Sequence, residues 1–140
     1  MSGRTGGRFI IEAPANPAAG ADFSAAVPAG EFWQFLGATV QFQASAAAAN
    51  RQIVLNLDIG GLGIYRVEVP FNVTANQSPY FQVGSHGQLS AAMSPSGSLV
   101  LIPCPRLLFM TAGAVFRSST TGLQAADQWN IIRIHVLKWN

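Results

Sequence analysis

The sequence predicts an all-β protein, an antiparallel β-sandwich with jelly-roll-like topology and a flexible N-terminal arm. Three observations predict it. Apolar and polar residues alternate with period two in several short runs. Gly and Pro separate those runs at spacings of roughly 8–12 residues, as turns between sandwich strands do. No stretch supplies three turns of amphipathic helix. The chain has 140 residues, 49% of them hydrophobic, which suits one domain burying about 70% of its unfolded surface.

Taken in order, residues 1–8 hold three glycines and two arginines and read as a mobile basic arm, because glycine makes ordering costly. Phe9–Ile11 is an apolar triplet able to pair as an edge strand. Pro14, Pro17 and Pro28 punctuate an Ala/Gly-rich stretch, so an extended connector is expected up to residue 30. The division expected is an arm and connector over 1–30 and a sandwich over 31–140. Leu36, Ala38, Val40 and Phe42 then alternate with polar or small residues, placing one apolar face on a strand. Ala46–Ala49 is too short to nucleate a helix. Ile53, Leu55, Leu57 and Ile59 form the cleanest alternation, and Gly60, Gly61 and Gly63 turn the chain into a partner strand, Ile64–Val69. Further short strands are expected at Tyr80–Val83, Leu89–Met93, Leu99–Ile102, Leu107–Met110 and Ala114–Ser118. The last is Asn130–Trp139, with Ile132, Ile134 and Val136 on its inner face.

Charge is scarce. Lys, Arg, Asp and Glu make up 10% of the chain, where about 25% is usual. A surface built from Ser, Thr, Asn, Gln and Gly is covered by another protein at little desolvation cost, since few ions lose their water. The net charge of +2 is accounted for by Arg4 and Arg8, and the remainder balances, so no nucleic-acid partner is expected. No apolar run approaches the roughly 20 residues of a membrane-spanning helix, and no membrane partner is expected. The first residues lack a signal-peptide core, which makes the cytosol the expected site of synthesis. Cys104 alone forms neither an internal disulfide nor a Cys-based metal cage.

Catalytic groups are thinly spread, and neither catalytic residues, metal ligands nor cofactors are expected. His86 sits in a glycine-flanked loop and His135 in the final strand, without the convergent ligands a zinc site needs. Cys104, between prolines after an apolar run, reads as a buried, inert thiol. The six acids are scattered, which does not suggest the facing pair of a glycosidase. Asp127 reads as a loop carboxylate accepting backbone N–H bonds before the last strand. The glycines after Asp58 lack the Lys-Ser/Thr and helix of a phosphate loop. Two Asn-x-Ser/Thr triplets, at Asn72 and Asn76, read as coincidence without a secretory signal. Trp33 and Trp129 read as core residues rather than a sugar-stacking platform.

Three segments together resemble small β-sandwich virion proteins of tailed bacteriophages, of the capsid decoration (cement) type. They are Pro28-Ala29-Gly30-Glu31-Phe32-Trp33 leading into Leu36 and Phe42, Ala49-Asn50-Arg51 leading into Ile53 and Leu55, and Leu123 to Trp129 followed by Ile132-Arg133. The pattern spans about residues 28–139. The resemblance implies a virion component on the exterior of the head, made in the host cytoplasm, often a homotrimer, whose partner is the major capsid protein. The matched residues would define the fold: Gly30 in the turn feeding a strand, Trp33 and Trp129 in the core, Asn50 and Arg51 in a loop between strands, and Asp127 ahead of the last strand. Low Lys and Glu content and the proline-rich lead depart from the more charged members of the set.

A cement role suits the composition, because modest contacts repeated over a lattice add through multivalency. Arg4, Arg8 and Phe9 are the capsid-contact candidates, the arginines meeting acidic groups on the shell. One alternative is a tail or head-fibre knob binding a host carbohydrate through an exposed cluster such as Tyr80, Phe81 and His86. A second is a polysaccharide-cleaving enzyme, against which the scattered acids argue.

Overall fold

A computed structural model describes residues 6–84, 99–106 and 108–139. The chain forms β1 (Arg8–Glu12), β2 (Ser24–Ala26), β3 (Phe32–Gln43), β4 (Gln52–Ile59), β5 (Leu62–Glu68), β6 (Tyr80–Gly84), β7 (Leu99–Pro103), β8 (Leu108–Met110), β9 (Val115–Thr121) and β10 (Gln128–Trp139). No helix occurs among the described residues. A large sheet has the order β1-β10-β3-β6-β7, with β8 also pairing β3, and a small sheet has the order β2-β9-β4-β5. Every ladder is antiparallel except the parallel β6–β7 pair.

The β-sandwich expected from the alternation is therefore present, and its winding is that of a jelly roll. With β7 and β8 set aside, the remaining strands read first-eighth-third-sixth in one sheet and second-seventh-fourth-fifth in the other. Most connections cross between sheets, so the neighbours of a strand are distant in sequence. Among these eight strands the exception is the β4–β5 hairpin. Gly60 (φ 58°) and Gly61 (φ 80°) occupy its two-residue turn, and positive φ at both central positions is what a type I′ turn requires.

Within residues 6–30 the edge strand expected at Phe9–Ile11 is present, and the connector expected after it holds a second strand. β1 is an outer strand of the large sheet, paired with β10, and β2 is an outer strand of the small sheet, paired with β9. Arg8 opens β1 opposite Lys138. The boundary at residue 30 thus separates no structural units: Phe23, Ala25 and Val27 are core residues. The prolines stop helix and mark the connections, yet they leave short strand segments between them free to pair.

Two irregularities in the β3–β10 ladder decide which side chains reach the core. Between His135 and Val136 the register slips, and β3 carries Leu36 as its extra residue. Trp33 and Phe35 before this bulge, and Ala38, Val40 and Phe42 after it, all face inward. Leu36, expected on the same face as Ala38, turns away from the core for this reason. The second slip lies between Asn130 and Arg133, where Ile131 adopts φ 51°. At Gly37 a Cβ would stand 2.3 Å from the Val83 carbonyl oxygen, inside the β3–β6 ladder. Gly37→Ala is therefore expected to cost about 1–3 kcal/mol, seen as a lower thermal midpoint; an unchanged midpoint would show that β6 gives way freely.

The core between the sheets is aromatic. The Trp129 indole packs against Phe23, Phe42 and Phe81, and Phe116 lies between Phe23 and Phe35. Trp129, Phe35, Phe42, Phe81 and Phe116 are all fully buried.

Candidate functional site

Most of the acids are committed to holding the fold. Arg51 lies just before β4, in an isolated bridge with Val73, and its side chain is fully buried. Its Nε and Nη2 donate to the two oxygens of Asp127 at 2.9 Å, and Nη1 donates to the Ala49 carbonyl at 2.8 Å. The Asp127 carboxylate also accepts the backbone N–H groups of Ser45 and Gln124, both at 2.8 Å, and the Ser45 hydroxyl. Burial pushes the Asp127 pKa up, but the Arg51 guanidinium and these N–H and O–H donors outweigh it and bring it to about 2. A paired, fully bonded carboxylate of this kind pins the β3–β4 and β9–β10 loops together; it has no free lone pair to offer a substrate.

Asp22 is used in the same way. It accepts from the Ser118 and Thr120 hydroxyls, from the Thr120 N–H and from the Trp129 indole N–H. Asp58 pairs with Arg117 across the small sheet, and Glu12 and Glu31 both pair with Lys138. Among the described residues no group of three or more His, Cys, Asp or Glu is placed to hold a metal ion. Cys104 is buried, and burial pushes its thiol pKa up; a thiol so placed is a poor nucleophile. A cleft of about 260 Å³ lies between Glu12, Ser24, Pro28, Trp33 and Ile134, at the edge where β1 and β2 end their sheets.

The outer faces of the two sheets differ sharply. The small sheet presents Asp58 and Arg117 as an ion pair and, on β5, Arg66 and Glu68. The large sheet presents apolar and uncharged groups. On its β1–β10 side Phe9 stands opposite Leu137, and Ile11 opposite His135. At one end Phe32 stacks on Phe109 with ring centroids 5.7 Å apart, and Trp139 meets Phe32 edge-on at 5.7 Å. Toward the other side lie Tyr80 on β6 and Leu99 and Leu101 on β7, in register. Between them Gln34, Thr39 and Gln82 supply amides and a hydroxyl, and Arg133 is the one charged side chain at an outward position of this sheet among the described residues. Phe9 is 60% exposed and Phe109 43% exposed. Apolar groups set on adjacent strands make a continuous patch, which a solitary soluble domain seldom exposes.

The residues singled out in the sequence fall into place unevenly. Gly30 (φ 80°) closes the turn Pro28–Glu31, where the Glu31 N–H donates to the Pro28 carbonyl, and it feeds β3. Trp33 is buried and donates to Glu31 at 2.8 Å; Trp129 is buried at the centre of the core. Asn50 is exposed in the loop ahead of β4, next to Arg51. Arg8 and Phe9 belong to β1 and not to an arm, with the Phe9 ring 6.4 Å from His135. Arg4, His86, the Leu89–Met93 segment and Leu107 lie outside the described residues. Of the cluster expected for a sugar-binding knob, Phe81 is wholly buried in the core.

One feature went unread in the sequence and another was only foreshadowed there. The Arg51–Asp127 pair joins residues 76 positions apart, a distance no spacing argument spans. The Phe32–Phe109–Trp139 strip was foreshadowed, because the last strand carries Leu137 and Trp139 on the face opposite Ile132, Ile134 and Val136.

In comparison with known proteins, the chain matches no family model, no curated protein and no solved structure.

Proposed function

We propose that this chain is a non-enzymatic structural protein of a tailed-phage virion, a capsid decoration protein that binds the outside of the head and stabilises it as an oligomer. The observation that carries the reading is the neutral, apolar outer face of the large sheet on a rigid sandwich. Such a surface adheres by shape and burial, and covering it strips few ions of water. An oligomer held together through it presents several copies of one weak shell contact, and these add along a lattice of major capsid protein. The acids, spent on internal pairs, fit a role in adhesion better than one in hydrolysis.

The deciding experiment is the location of the chain in purified particles, by gold labelling and cryo-electron microscopy. Density on the head exterior is the expected result. Absence from particles would end the shell reading, and signal confined to tail or fibre tips, with binding on a glycan array, would move the chain to a carbohydrate-binding knob. Deleting residues 1–6, which stops short of Gly7 against the Trp139 ring, should lower head occupancy several-fold while leaving the far-ultraviolet circular dichroism unchanged. Equal occupancy would remove Arg4 from the contact.

A further inference from the structure

We infer that the outer face of the large sheet is an interface between copies of this chain, and that the shell contact is made elsewhere on the molecule. The inference rests on the same adhesive reading but needs no capsid.

The asymmetry of the sandwich is the starting point. Both sheets have an outer face, yet Asp58, Arg66, Glu68 and Arg117 all belong to the small one. A face meant for water carries such ions. The opposite face carries Phe9, Leu137, Phe32, Phe109 and Trp139 across four strands, and water is a poor neighbour for it.

The choice of occupant follows from the polar groups in the patch. A partner selected by charge would leave a run of one sign on the face, for opposite potentials meet across an interface. Here Arg133 stands alone, turned to the Ile132 carbonyl. The other polar groups, Gln34, Thr39, Gln82 and the His135 ring beside Phe9, can each donate and accept hydrogen bonds. A surface of amides and hydroxyls set between aromatic rings is complementary to itself, so a second copy meets it with few ions to desolvate.

The dimensions agree. Strands about 4.8 Å apart, rising about 3.3 Å per residue, give the face a span of roughly 24 Å by 30 Å, or about 700 Å². A standard interface takes about 800 Å² from each partner, so a copy of similar size covers the face nearly whole.

Light scattering on the full chain between 1 and 100 µM tests the inference directly. The expected mass is a multiple of 14.8 kDa, three copies in the reading above. Leu137→Lys and Phe109→Lys, on different strands of the face, should each return the mass to one copy. Leu62→Lys, at the 73% exposed hairpin tip of the small sheet, should leave the assembly intact. Should a lysine variant fail to fold, acrylamide quenching of the wild type gives the second readout. Trp33 and Trp129 are buried, so quenching reports on Trp139 and should fall as concentration drives assembly. A single copy throughout the range, or an assembly indifferent to both face variants and lost with Leu62→Lys, would overturn the inference. The two readings fail separately: a monomer that decorates heads sinks the subunit interface alone, and an assembly absent from particles sinks the shell role alone.

Discussion

Asp127→Asn should destabilise the protein by about 3–5 kcal/mol, the cost of leaving a buried charge without its partner. Asparagine keeps the shape, but its one amide oxygen can accept only one of the Ser45 and Gln124 N–H bonds, which end on different carboxylate oxygens, and it cannot neutralise the Arg51 guanidinium, whose side chain is fully buried. Urea unfolding monitored by tryptophan fluorescence reads the effect as a lower midpoint at unchanged slope. Adding Arg51→Met to Asp127→Asn should restore a large part of the loss, since removing both charges spares the orphaned ion. A double variant as unstable as the single one would assign the cost to packing and not to charge.

The same pair dictates the response to acid. The folded-state pKa of Asp127 is about 2, below its ordinary 3.8. The unfolded chain therefore takes up the proton first as pH falls. The stabilisation is fully present above about pH 4 and is lost as pH drops toward 2, an effect of about 2 kcal/mol. Unfolding midpoints at pH 5 and pH 2.5 should differ in the wild type, and the part due to this carboxylate should vanish in Asp127→Asn.

Trp129→Ala is the other large effect, again about 3–5 kcal/mol, from lost transfer energy and the cavity left behind. The indole is fully buried, with Phe42 at 4.9 Å, Phe23 at 5.0 Å and Phe81 at 6.2 Å between centroids. Phe42 and Phe81 belong to the large sheet, and Phe23 enters the small one, so this side chain bridges both layers. Its N–H also donates to Asp22, which ties β9 to the segment before β2. Calorimetry should show a much lower melting temperature, with loss of the near-ultraviolet circular dichroism of the aromatic core. A melt shifted by only a degree or two would mean that the neighbouring rings collapse into the space.

Much of the architecture was legible because strand periodicity is local. The alternation at Ile53, Leu55 and Leu57 lies on β4 with those side chains buried, and the glycines at 60 and 61 make the turn they predict. Asp127 accepts backbone N–H bonds ahead of β10, as its place in the loop suggested. Leu36 defeated the same method, since one inserted residue reverses the parity of everything beyond it and leaves no mark in composition. The edge strand expected at Phe9–Ile11 is the middle of β1, whereas residues 24–26 were concealed by the prolines and glycines around them, because so short a segment becomes a strand only when a neighbour supplies its hydrogen bonds.

The amino-acid order by itself determined the strands, the hairpin, the apolar side of β10 and the scarcity of ions, since each depends on residues a few positions apart. Tertiary structure alone decided the winding of the two sheets, the union of Arg51 with Asp127, and the gathering of Phe9, Phe32, Phe109 and Trp139 on one outer face. Those depend on which strands lie side by side, and pairing between distant strands is chosen by the summed burial of the whole core rather than by any local pattern.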